Sequence, residues 1–76
     1  MNLEALKQLR KSKKISLMDM ADALGLQTAG GYSRLESGEN KIKAEQLPAI
    51  AEKLEINLDS LTALLFYDQN IEQYSS

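Results

Sequence analysis

The stretch LGLQTAGGYSRLESG, residues 24–38, places two glycines, Gly30 and Gly31, where the flanking pattern starts a helix. Glycine in a helix interior costs about 1 kcal/mol relative to alanine, so the pair marks either a turn or a place where bulk is unwelcome. The surrounding residues are more regular. Gly25 stops one helix, and Thr28 is placed to cap the next. In that next helix Tyr32, Leu35 and Glu36 share one face, while Gly30, Ser33, Arg34 and Ser37 share another that has nothing to bury.

Working outward, the spacing predicts four further short helices and no strand. In SLMDMADAL, residues 16–24, Ser16 and Asp19 approximate a capping box, and Leu17, Met20, Ala21 and Leu24 fall at i, i+3, i+4 and i+7. Met18 and Met20 are read as core filler. Leu3, Leu6 and Leu9, with Asn2 as a cap, give a first helix that runs into the basic turn KSKK. Leu47, Ile50, Ala51 and Leu54 repeat the helical pattern, with Pro48 confined near the start of its helix by ring geometry. A fifth helix starts near Asn57, with Asp59 in its first turn where it suits the helix dipole. The last residues, YDQNIEQYSS, read as a fraying tail, which gives one domain over residues 1–67 and a C-terminal tail over 68–76.

A chain of 76 residues buries only about 60% of its unfolded surface, which favours a binding module over a deep catalytic pocket. The absence of cysteine and histidine removes disulfides, thiolate chemistry, imidazole bases and the usual zinc ligands together. No cofactor and no metal are expected, and no nucleophile and base are spaced for catalysis. No apolar run approaches the roughly 20 residues that span a bilayer, and the N-terminus has no signal-peptide core. The expectation is a soluble, unprocessed protein of the cytoplasm that meets no membrane.

The net charge of −2 argues at first against nucleic acid, but the charges are sorted along the chain. Residues 1–14 carry Lys7, Arg10, Lys11, Lys13 and Lys14 against Glu4, whereas residues 44–76 carry Lys53 against six acids. Arg34, Lys41 and Lys43 form a second positive group. Such clusters are either a solvated face or a set of phosphate contacts.

The segments LKQLRKSKKIS, MADALGL, YSRLESGENKI and LPAIAEKLEINLDSL, in this order, resemble the phage repressor and Cro (Xre-type) helix-turn-helix family over residues 3–65. The family's Leu-x-x-Leu-Arg matches Leu6 to Arg10, its Ala-x-x-Leu-Gly matches Ala21 to Gly25, its Ser-x-Ile-Glu-x-Gly matches Ser33 to Gly38, and its Ile-Ala-x-x-Leu matches Ile50 to Leu54. The resemblance implies an all-α, five-helix, lambda-repressor-like domain that binds duplex DNA sequence-specifically, usually as a dimer and usually to regulate transcription. A repressor from a prokaryotic cell or a phage-infected host, associated with the nucleoid, is the expected setting. It further implies a structural ion pair between Arg10 and Glu36. Three departures stand out: a turn one residue longer before Tyr32, Leu17 where glutamine often supports a phosphate contact, and Glu55 where glycine is usual.

On this reading Arg34, Ser33, Gly30, Ala29 and Ser37 face bases, with Arg34 the chief reader. Gln27, Thr28, Lys11, Lys13, Lys14, Lys41, Lys43 and Tyr32 are the candidate phosphate contacts, though Tyr32 also fills the place of a core aliphatic residue. The glycines admit more than one explanation. They ease a lengthened turn, or Gly31 permits a close crossing against Ala21, or the missing Cβ atoms let the helix N-terminus approach the DNA backbone. Leu61, Leu64, Leu65, Phe66 and Tyr67 offer more apolar surface than one short helix buries, which implies a homodimer and a palindromic operator. The alternative is a helix-turn-helix module acting through a protein partner, as an antitoxin or antirepressor does, with its acidic half as the contact. Steep salt dependence would mark the DNA binder.

Overall fold

The computed structural model describes residues 1–67, so the expected tail at 68–76 lies outside the described residues. The described chain is all-helical: α1 (Leu3–Ser12), α2 (Leu17–Ala23), α3 (Ala29–Ser37), α4 (Leu47–Leu54) and α5 (Leu58–Thr62), with no strand. A 3-10 turn, Ala44–Gln46, leads into α4, and a π turn, Ala63–Tyr67, continues α5.

Four of the five helices, α1, α2, α3 and α5, start where a side chain accepts from an orphan N–H group. Asn2 Oδ1 accepts from the Ala5 N–H at 3.1 Å. At α2 the capping box is complete: Ser16 Oγ accepts from the Asp19 N–H at 2.9 Å and Asp19 Oδ2 from the Ser16 N–H at 3.3 Å. That backbone hydrogen bond holds the exposed Asp19 carboxyl below its ordinary pKa. Thr28 Oγ1 caps α3 through the Gly31 N–H at 3.0 Å, and Asn57 Oδ1 caps α5 through the Ser60 N–H at 2.7 Å. Positive φ values at Gly25 (73°) and Gly38 (89°) end α2 and α3 in the left-handed region where glycine carries no Cβ penalty. Glu55 takes the same conformation after α4, at φ 61°, and nothing in the structure explains why that place is not a glycine.

The helices close around one core of Leu6, Met20, Ala21, Tyr32, Leu35, Ile50, Ala51, Leu54, Leu61 and Leu65. The chain's two described ends meet there, since the Asn2 N–H donates to the Leu65 carbonyl at 2.7 Å. Two sequence expectations need correction. Met18 is exposed rather than core, because it projects from α2 beside the buried Met20. Leu61 and Leu65, assigned to a dimer face, are buried in the monomer's own core, and Leu64 packs partly against it. Of that group Phe66 stands out from the surface at 41% exposure, while the Tyr67 side chain lies outside the described structure. The reason is geometric. Leu61 lies in α5 and Leu65 four residues on, so both fall on the side that packs on the core, and Leu58 and Phe66 are left at the surface.

Arg10 and Glu36 are both buried and joined side by side. Arg10 Nε donates to Glu36 Oε2 at 2.9 Å and Nη2 donates to Oε1 at 3.1 Å. Nη1 donates to the Ile15 carbonyl at 2.8 Å, which ties the same guanidinium to the α1–α2 turn. Removing one member of a buried pair strands the other and costs about 3–5 kcal/mol, a large share of what a small domain holds. Glu36→Ala is therefore expected to lower the melting temperature steeply, and an unchanged melt would show that the pair contributes nothing.

Tyr32 is fully buried, and its hydroxyl makes no hydrogen bond of ordinary geometry. Burial, with the neighbouring Glu36 carboxylate as a second cause, pushes the phenol well above its ordinary pKa of 10.0. The folded phenol keeps its proton at a pH where the unfolded one loses it, so the native state binds more protons and stability falls as pH rises past 10.0. Tyr32→Phe is expected to melt at or above the parent temperature at pH 8 and to lose less stability than the parent at pH 11, measured by parallel thermal melts.

Candidate nucleic-acid interface

Burial of Tyr32, Leu35 and Glu36 turns the opposite side of α3 to solvent. Gly30, Arg34 and Ser37 are exposed, and Ala29 and Ser33 are half-buried. Arg34 is the long donor on this side. Its Nη1 lies 3.6 Å from the position a Cβ on Gly30 would take, so the guanidinium lies over the first turn of α3. Gln27 and Thr28 are exposed just before that turn, with the Thr28 hydroxyl occupied by its cap.

The cations lie on elements before and after α2 and α3 in the chain. Lys11 lies in the last turn of α1, and Lys13 and Lys14 form the turn to α2, with Lys14 left-handed at φ 59°. Lys41 and Lys43 lie in the loop after α3, and all five are exposed. Lys7, which the sequence reading passed over as a contact, lines a cleft together with Lys11, Ser33 and Ser37. Its i, i+4 spacing from Lys11 was the available signal. Tyr32 does not belong to this surface. Its hydroxyl is sealed in the core and cannot reach a phosphate, so the residue serves packing alone.

The glycines are also clarified. Gly30 and Gly31 lie within α3, and neither has a positive φ, so the lengthened turn does not require them. A Cβ on Gly31 would meet Thr28 Oγ1 at 3.6 Å and Leu26 Cβ at 3.7 Å, which is ordinary contact, and the nearest neighbours do not include Ala21. The close-crossing explanation therefore fails, and nothing inside the monomer demands either glycine.

A family model described as helix-turn-helix matches residues 6–61 of the chain. The chain belongs to the Xre, Cro and lambda-repressor type of helix-turn-helix family. It is a DNA-binding helix-turn-helix regulator. Comparison with curated proteins and with solved structures gave no match. Within this helix-turn-helix domain, no described helix is long and apolar enough to cross a membrane. Among the described residues, no group of three or more acidic, His or Cys side chains is placed to hold a metal.

Because each glycine weakens α3 by about 1 kcal/mol and a methyl group fits at both sites, Gly30→Ala and Gly31→Ala are expected to raise the melting temperature of the free protein. A fall in either variant would show that close packing holds that glycine in place.

Proposed function

We propose that this protein is a sequence-specific transcriptional repressor that lays α3 in the major groove of an operator, with Arg34 as its principal base reader. The observation that carries the proposal is the exposed strip of α3, where Arg34 lies over a turn stripped of side chains by Gly30 and Gly31. A recognition helix presents its N-terminal residues to base edges, and an arginine fork donates to guanine O6 and N7 together, a contact that gives about 1–3 kcal/mol of discrimination. The bare first turn lets the backbone approach the duplex closely, with the N–H groups of Ala29 and Gly30 available to a phosphate. Gln27 and Thr28 border that approach, while Lys11, Lys13, Lys14, Lys41 and Lys43 flank the groove as phosphate contacts. Occupying the groove excludes other proteins from the same duplex, so repression needs no further contact. The cytoplasm of a prokaryotic or phage-infected cell is the matching compartment.

Selection from a random-sequence duplex pool tests this reading. The parent is expected to enrich one motif, and Arg34→Ala to lose preference at one base position per half-site. Lys13→Ala and Lys41→Ala should keep the motif, weaken binding evenly and lower the salt slope by about one unit each. Gly30→Gln should bind less tightly without unfolding. Full sequence preference in Arg34→Ala would overturn its role as reader.

We also propose a homodimer, formed through Leu58, Leu64 and Phe66. Leu58, at 44% exposure, and Phe66, at 41%, stand out from α5 and the turn that continues it, with Leu64 partly exposed between them. A two-fold dimer places two α3 helices on half-sites about 34–36 Å apart, hence a palindromic operator. Leu58→Glu is expected to shift sedimentation toward monomer and to weaken operator binding. A monomeric parent, both free and on DNA, would reject the dimer.

A further inference from the structure

Between α1 and α3 the fold opens a cleft of about 430 Å³ whose walls carry Lys7 and Lys11 on one side and Ser33 and Ser37 on the other. We propose that this cleft seats a phosphate of the DNA backbone, clamped by Lys7 and Lys11, so that Ser33 and Ser37 face the backbone and base reading is left to Arg34. The inference rests on the DNA-binding reading above and adds to it a contact made by α1.

Lys7 and Lys11 are exposed and one helical turn apart, an arrangement of like charges that destabilises a free helix by a few tenths of a kcal/mol. A phosphodiester between the two ammonium groups reverses that repulsion. Beside them lie Arg10 and Glu36, which neutralise one another through their own hydrogen bonds, so the floor of the cleft does not repel an anion. Glu4 also reaches the cleft, with its carboxylate accepting from Gln8 Nε2 at 2.8 Å. Ser33 makes no hydrogen bond through its hydroxyl among the described residues, and serine hydroxyls donate readily to phosphate oxygens. Ser37 differs, because its hydroxyl donates to the Arg34 carbonyl at 3.2 Å and accepts from the Glu39 N–H at 3.4 Å, so it shapes the wall. Arg34 is not part of the cleft. Successive residues on a helix are about 100° apart, which turns Arg34 away from Ser33 and toward Gly30.

The test compares the parent with Lys7→Ala, Lys11→Ala, Ser33→Ala and, as an exposed lysine that does not line the cleft, Lys53→Ala. Each is taken through selection on a random-sequence duplex pool and a salt titration on one fixed duplex. Lys7→Ala and Lys11→Ala are expected to retain the parent motif, bind several-fold more weakly on all sequences, and each lose about one unit of salt slope. Ser33→Ala is expected to retain the motif with weaker binding, and Lys53→Ala to match the parent. If the parent binds with a steep slope while Lys7→Ala and Lys11→Ala are indistinguishable from it, the phosphate seat is wrong and the DNA-binding reading stands. A changed motif in Ser33→Ala makes that serine a base reader and overturns the division of roles. A parent without salt-dependent DNA binding overturns both readings together.

Discussion

The Arg10–Glu36 pair is the constraint on which the placement of α3 depends. Burying two charges costs several kcal/mol per ion after relaxation, and the cost is offset only when geometry and hydrogen bonding are good. Here one guanidinium satisfies both Glu36 oxygens and also the Ile15 carbonyl, so a single side chain fixes α1, the turn after it and α3 to one another. The apolar contribution of α3 to the core comes from Tyr32 and Leu35 alone. Hydrophobic burial is non-directional and would leave so small a face free to shift or roll. The ion pair supplies the direction.

Much of the fold was legible because helix starts are chemical events of short range. Ser16 with Asp19, Thr28 before Ala29 and Asn57 before Leu58 each place an acceptor near an orphan N–H, and each caps its helix as the spacing predicts. The family match over residues 6–61 agrees with the resemblance drawn from the spaced motifs. What escaped the sequence reading depends on longer range. Leu61 and Leu65 stand four residues apart and turn the same side of α5 and its continuation into the monomer's own core, a tertiary fact that the run of apolar residues does not reveal. Met18 failed for another reason: it lies two residues from a core methionine, and about 200° of helix rotation carries it to the surface.

The site was legible in its exposed residues and less so in their grouping. That Arg34 faces solvent follows from the burial of Tyr32, Leu35 and Glu36 on the other side of α3. That Lys7 and Lys11 share a cleft with Ser33 follows only from the way α1 crosses α3, a tertiary fact with no local signature. Tyr32 carried two compatible readings in the sequence, and packing selected one. Where aliphatic residues serve in the family, a phenol filled the same volume and brought a hydroxyl that the core leaves without a partner.

The departures from local helix rules at Glu55 and at Gly30 and Gly31 have different explanations. Glu55 holds a left-handed conformation that costs a residue with a Cβ about 1–2 kcal/mol, at the end of α4, with nothing in the structure to account for it. Gly30 and Gly31 also weaken their helix, yet neither backbone strain nor a close neighbour requires them. A cost without an internal cause points outward, to whatever meets the first turn of α3. Local rules are broken most often at functional sites, and this break falls beside Arg34, on the helix that a helix-turn-helix regulator turns toward DNA. The glycines and the arginine are best understood as one device: the bare turn sets how near α3 can come, and the nearness sets which base edge the guanidinium reaches.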